Sequence, residues 1–208
     1  VDRDRRALDS GRLAERLAKF SEENGGYIRL EDLRAFRAET DTPRCVPFRG
    51  YEVCKPGFWT QGPVLLQTLA ILEGFDLRAM QHNSPEYLHT VVEAVKLPFA
   101  DRDAHYGDPK FSSIPEQVLL SAEYAAERRK LIDPQRASME HRPGAPRGGS
   151  PALTGNGVQT GTTVQDTTSV AAVDKNRNFF SATPSGAWLP SVIAGDTGIP
   201  FSTRLESF

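Results

Sequence analysis

Thr167-Thr168-Ser169-Val170-Ala171-Ala172-Val173-Asp174-Lys175-Asn176-Arg177-Asn178-Phe179-Phe180-Ser181-Ala182-Thr183 is the stretch on which the reading of the fold turns. Thr167 to Val173 alternates like a strand, Asp174 to Asn178 has the composition of a turn, and Phe179 to Thr183 reads as the returning strand. Immediately before it, from Asp133 to Gln165, Pro, Gly, Ser and Thr dominate, aromatics vanish and the apolar residues follow no period. Too little is left there to bury against the entropy of ordering, so this segment is expected to be a mobile linker. After the strands come two more turns, at Pro184-Ser185-Gly186 and Ala194-Gly195-Asp196-Thr197-Gly198.

Upstream of the linker the pattern is mostly helical. Leu13, Leu17 and Phe20 share one face of a helix expected over about residues 9–23, stopped by Asn24-Gly25-Gly26. Tyr27 to Leu30 reads as a short strand and Leu30 to Phe36 as a helical turn. Apolar residues about Arg49-Gly50 point to a hairpin over Cys45 to Val53. Pro63 suits the first residue of a helix running to Glu73, with Gly74 as a left-handed stop. Ser84 caps the next helix and Pro85 opens it. Leu88, Val92, Val95 and Phe99 lie along one side, and Pro98 should kink the helix or end it early. A last helix spans roughly 121–131. Helices first and strands after give an α+β or layered α/β class.

Length and composition bound the function. With 208 residues, 38% apolar and 25% charged, the chain is sized and composed as one soluble domain with a true core. A net charge of −2 and a pI near 6.1 lack the surplus of Lys and Arg that phosphate neutralisation needs, which argues against a nucleic-acid partner. No apolar run approaches a bilayer span, so no membrane partner is expected. The opening Val1-Asp2-Arg3-Asp4-Arg5-Arg6 has neither an initiator Met nor a signal core and reads as the start of a fragment or a processed piece. Cys45 and Cys54 flank the expected turn either as a disulfide or as two buried free thiols, and from the sequence alone no metal site is expected of them. His82, His89, His105 and His141 have no ligand spacing, so neither zinc nor another cofactor is expected.

Several stretches resemble the γ-glutamyltransferase family, in that family's order. They are Asn24-Gly25-Gly26 with Leu30-Glu31-Asp32-Leu33; Tyr51 through Gly62 with Leu65-Leu66-Gln67 and Ile71-Leu72-Glu73-Gly74; and Asn83-Ser84-Pro85-Glu86-Tyr87-Leu88-His89 with Glu93-Ala94-Val95-Lys96 and Phe99-Ala100-Asp101-Arg102. Tyr106-Gly107-Asp108-Pro109 and Leu120 to Arg129 follow, then Asp166-Thr167-Thr168-Ser169 and Val173 to Asn178. The resemblance implies a four-layer αββα N-terminal-nucleophile hydrolase sandwich, present here in part, whose precursor cuts itself into a large and a small subunit. It places the cut at Asp166-Thr167. Residues 1–132 would be large-subunit sequence, 133–166 the linker, and 167–208 the start of the small subunit. Sections at both ends would be absent, among them the oxyanion-hole glycines and a substrate-binding serine pair.

The chemistry this implies is self-consistent. A Thr hydroxyl is a weak nucleophile that needs an adjacent base, and cutting before Thr167 creates one in its own α-amine, with a pKa near ~8. The hydroxyl of Thr167 would first attack the Asp166 carbonyl and later a substrate amide, with water or an amine as acceptor and no cofactor. The plain alternative is that Thr167-Thr168 are β-branched strand residues; Thr162-Thr163 is a rival pair inside the linker. Ser185 falls where the family places a hydroxyl that orients the nucleophile, although it is equally a turn serine. The pattern also departs from the family. An asparagine for the substrate carboxylate has no counterpart, Ser169 replaces a histidine, and the glutamine and aspartate that hold the γ-glutamyl α-amine fall at Arg204 and Ser207, beside Glu206. An ammonium group taken out of water needs an anion that Ser207 cannot supply. The substrate is therefore a γ-glutamyl amide of glutathione type or another small-molecule amide or peptide. A general amidase or acylase and a non-catalytic scaffold are the competing readings.

Overall fold

The computed structural model describes residues 11–37, 40–146, 169–183 and 191–202. They fall into two compact units, one of residues 40–146 and one of residues 11–37 with 169–183 and 191–202.

The smaller unit begins with α1 (Arg12–Glu23), whose Ala14, Leu17 and Ala18 are buried, followed by α2 (Leu30–Ala35). The expected strand at Tyr27 does not form. Leu30 already opens α2 and the Arg29 N–H is taken by the Asp32 carboxylate at 2.8 Å, which removes half of the short span from pairing, and Tyr27 is exposed. Strands β3 (Val170–Val173) and β4 (Phe179–Ala182) are an antiparallel hairpin in the register Val170↔Ala182 and Val173↔Phe179. Near the end of the described chain Ile193 bridges Pro200 around the turn at Gly195 and Gly198, and Phe201 lies 6.2 Å from Phe20.

The larger unit starts with the hairpin of β1 (Arg44–Phe48) and β2 (Tyr51–Lys55). Arg49 and Gly50 both have positive φ, as a tight turn between twisted strands requires. Helices α3 (Gly62–Leu72), α4 (Pro85–His105), α5 (Glu116–Leu119) and α6 (Ala122–Arg129) follow. Their core is Ile71, Leu72, Ala94, Leu97 and Ala125, with Phe48, Phe75 and Val91 packed around it. Ser84 accepts from Tyr87 N–H at 3.0 Å and Ser121 from Tyr124 N–H at 3.1 Å, each capping its helix.

Three sequence expectations in this unit are corrected. Of the kink or early end expected at Pro98, the early end is overturned, because α4 runs on to His105. The stripe of Leu88, Val92, Val95 and Phe99 is not the buried side: Leu88, Val92 and Phe99 are 48%, 54% and 37% exposed and Val95 is only half-buried, while Glu93, Ala94, Leu97, Ala100, Asp101 and Ala104 face inward. Gly74 is not left-handed; a Cβ there would lie 2.0 Å from Arg129 Cζ, because that guanidinium closes the end of α3 by donating to the Ile71 and Ala70 carbonyls at 2.8 and 3.0 Å. Among the described residues no helix is long and apolar enough to cross a membrane.

Candidate functional site

The residues that sequence reading assigns to cleavage, catalysis and substrate binding, namely Asp166, Thr167, Ser185, Arg204, Glu206 and Ser207, lie outside the described residues, as do Thr162, Thr163 and Thr168. The structure describes the chain on both sides of that junction.

Downstream, Ser169 is exposed and leads directly into β3. The turn after β3 is built on Asp174, whose Oδ1 accepts from the N–H groups of Asn176 and Asn178 at 2.8 and 2.9 Å, while its Oδ2 accepts from Asn178 Nδ2 at 2.8 Å. The Asn178 side chain, then its N–H, hold the Asp174 carboxyl below the usual carboxylate range. Carboxylate oxygens that satisfy successive backbone donors fix a turn more firmly than composition alone does.

Upstream, residues 133–146 form an irregular strap laid over α4 and α6, not the unanchored segment that their composition suggests. Two buried carboxylates on the inner face of α4 hold it. Glu93, 1% exposed, accepts from the Lys96 ammonium, from Ser138 N–H at 3.3 Å and from Arg142 Nη2 at 3.2 Å. Burial pushes its carboxyl up, but Lys96, the Ser138 N–H and Arg142 outweigh that and leave it below the ordinary value. Two turns along, Asp101 is wholly buried, accepts from Gly144 N–H at 2.7 Å, Tyr124 Oη at 3.0 Å and Gln67 Nε2 at 3.2 Å, and pairs with the Arg128 guanidinium, whose Nη2 lies 3.0 Å away. His105 Nε2 lies 2.8 Å from the Gly144 carbonyl, which only accepts, so Nε2 carries the hydrogen. Burial first, and Asp101 second, push the Tyr124 and Tyr106 hydroxyls well up, so both remain protonated donors. A composition scan misses these anchors. The signal lay instead in α4, where Glu93 and Asp101 share the face of Ala94, Leu97 and Ala104, and charges on an apolar face are buried only when paired.

No histidine site forms among the described residues. His89 faces the Asp133 carbonyl at 2.7 Å, His105 the strap and His141 the Asp103 carboxylate. Cys45 and Cys54, directly opposed in the β1–β2 ladder, are joined as a disulfide, which resolves the alternatives left open by the sequence.

The sequence pattern of the gamma-glutamyltranspeptidase family matches residues 3–208. The chain belongs to the gamma-glutamyltranspeptidase family. Among its family relatives is the glutathione hydrolase-like YwrD proenzyme of Bacillus subtilis (strain 168), 34% identical over 100% of this chain and 36% of the relative. The solved structure of LmbA2991HD is 34% identical and superposes with a TM-score of 0.81 over 99% of this chain and 37% of that one. Cephalosporin acylase from Bacillus halodurans is 35% identical, with a TM-score of 0.63 over 68% of this chain and 26% of that one. The chain therefore spans little more than a third of the first of these family members, and its mixed α/β fold is that of N-terminal-nucleophile hydrolase structures. Within this gamma-glutamyltranspeptidase family chain, Glu93 and Asp101 anchor Ser138 and Gly144 against α4.

Proposed function

We propose that this chain is part of a self-processing γ-glutamyltransferase-like enzyme. In it Thr167, freed by cleavage after Asp166, carries the acyl group of a γ-glutamyl amide to water or an amine. The family match carries this reading, because its span of residues 3–208 takes in both sides of the Asp166-Thr167 bond. A hairpin that begins at Val170, just beyond Thr167, is consistent with a nucleophile at the head of a strand.

The cut proceeds by attack of the Thr167 hydroxyl on the Asp166 carbonyl, which breaks the peptide bond, releases the Thr167 α-amine and leaves an ester that water resolves. In turnover that amine takes the hydroxyl proton as the oxygen attacks the substrate amide, and returns it to the leaving amine. Ser185 orients the hydroxyl. Residues 1–132 belong to the large subunit, 133–166 to its tail and 167–208 to the small subunit, within a four-layer sandwich completed by the rest of the precursor.

A second reading, an acylase on the same Thr167 machinery, is favoured by the likeness to cephalosporin acylase and by Arg204 and Ser207 standing where an anion for the γ-glutamyl ammonium is needed. Arg204 suits a carboxylate on the acyl group, with Glu206 and Ser207 beside it. Turnover of γ-glutamyl-p-nitroanilide beside simple acyl anilides separates the two.

The decisive measurement is mass spectrometry of the full-length purified protein. Two fragments, the smaller beginning at Thr167, are expected, and Thr167→Ala should abolish both cutting and turnover. An intact wild-type chain under every condition indicates a scaffold, and normal maturation of the variant means the nucleophile is another residue.

A further inference from the structure

The β1–β2 hairpin presents one face to the core and one to solvent. Val46 is buried and Phe48 packs against the core of the larger unit, so strand alternation puts Cys45 and Pro47 on the outer face. The register Cys45↔Cys54 and Pro47↔Glu52 places Cys54 and Glu52 on that same face. Cys54 and Glu52 are exposed and Cys45 is half-buried. The two sulfurs and a Glu52 carboxylate oxygen all lie within 4.8 Å of one another. The Glu52 side chain makes no ion pair or hydrogen bond among the described residues, so its carboxylate is uncommitted.

We propose that this face is a thiol-gated site for a soft divalent cation such as zinc, shut while Cys45 and Cys54 are joined, and open as a Cys45, Cys54 and Glu52 trio once a small-molecule thiol has reduced them. Neither sulfur takes part in the Thr167 acyl chemistry, so the site stands or falls independently of it.

Opening consumes two thiols. The thiolate of the first attacks Sγ of Cys54, the more exposed of the two residues; the Cys54–Cys45 bond breaks and Cys45 leaves as a thiolate that takes up a proton. The second attacks the small-molecule sulfur of the resulting mixed disulfide, releasing the Cys54 thiol and a small-molecule disulfide. The protein gains two electrons and two protons, and two thiols become one disulfide. Cation binding then expels both thiol protons, since the ligand is the thiolate.

Two properties of the hairpin make the open state useful. First, the strands are held by the backbone ladder, by the Arg49-Gly50 turn and by Val46 in the core, so breaking the sulfur link leaves the ligand atoms side by side. Second, two thiolates and a carboxylate form a three-ligand set that zinc accepts with its fourth position open to water or another group.

The test uses the full chain and cobalt(II) as a spectroscopic substitute for zinc. The protein is reduced with a phosphine, freed of reductant without air and titrated. One cobalt per chain with a sulfur-to-metal charge-transfer band is expected, displaced by zinc, and absent from the unreduced protein and from the Cys45→Ser and Cys54→Ser variants. Glu52→Gln should keep the band and weaken binding by roughly tenfold or more, as loss of one of three ligands implies. No band in the reduced wild type overturns the proposal, as does an equal band in the double serine variant or equal affinity in Glu52→Gln. Circular dichroism follows reduction; loss of the folded signal also overturns it, because the site requires the ladder to survive.

Discussion

Asp101 shows how one side chain organises its surroundings. Its three accepted hydrogen bonds and one ion pair draw together α3 through Gln67, α6 through Tyr124 and Arg128, and the strap through Gly144. Removing its charge strands the buried Arg128 guanidinium, whose Nε already has no partner among the described residues. Breaking a buried pair from one side costs about 3–5 kcal/mol, so Asp101→Asn should lower the urea midpoint severely. The identity of Gly144 follows from the same contact: a Cβ there would sit 1.9 Å from Tyr124 Oη, with the ring itself at 2.8 Å. That glycine looked like linker composition in the sequence, because the atom it makes room for lies on a helix twenty residues earlier.

Helix α4 illustrates what periodicity does and does not decide. Its start was legible, because Ser84 and Pro85 act locally: one accepts the Tyr87 N–H and the other needs no donor in the first turn. Ser84→Ala should therefore cost about 1 kcal/mol, read as a small drop in the thermal midpoint with no change of fold. The inward face was not legible. Large residues at 88, 92 and 99 make the more apolar stripe, yet Ala94, Ala100 and Ala104 face inward, since small side chains let neighbouring segments approach closely. Pro98 is tolerated inside the helix for a related reason: it is buried with Leu97 among packed neighbours, so tertiary contacts offset the lost backbone donor.

Across the larger unit, strap attachment is a charge-dependent property. The Glu93 carboxyl is held below its ordinary 4.5 by Lys96, Ser138 N–H and Arg142 against the opposing effect of burial. The folded form therefore binds fewer protons than the unfolded one in that range, and stability rises with pH there. The contribution is complete at neutral pH and disappears as pH falls below about 5 and through the depressed folded value. Unfolding midpoints across this range should drop toward acid, and the drop should be shallower in Glu93→Gln, whose stability at neutral pH is already lower. A wild-type profile no steeper than the variant's would show that Glu93 does not anchor the strap.

The sequence by itself determined what is local or heritable. The cap at Ser84, the Arg49-Gly50 turn, the β3–β4 hairpin around Asp174 and the ordered motifs of the gamma-glutamyltranspeptidase family all depend on neighbours within a few positions or on matched residues. Only the tertiary structure decided which side of α4 is buried, that Cys45 and Cys54 are bonded, and that residues 133–146 are anchored. These depend on atoms brought together from distant parts of the chain. A polar segment earns its order from buried partners such as Glu93 and Asp101, and composition carries no record of where those partners lie.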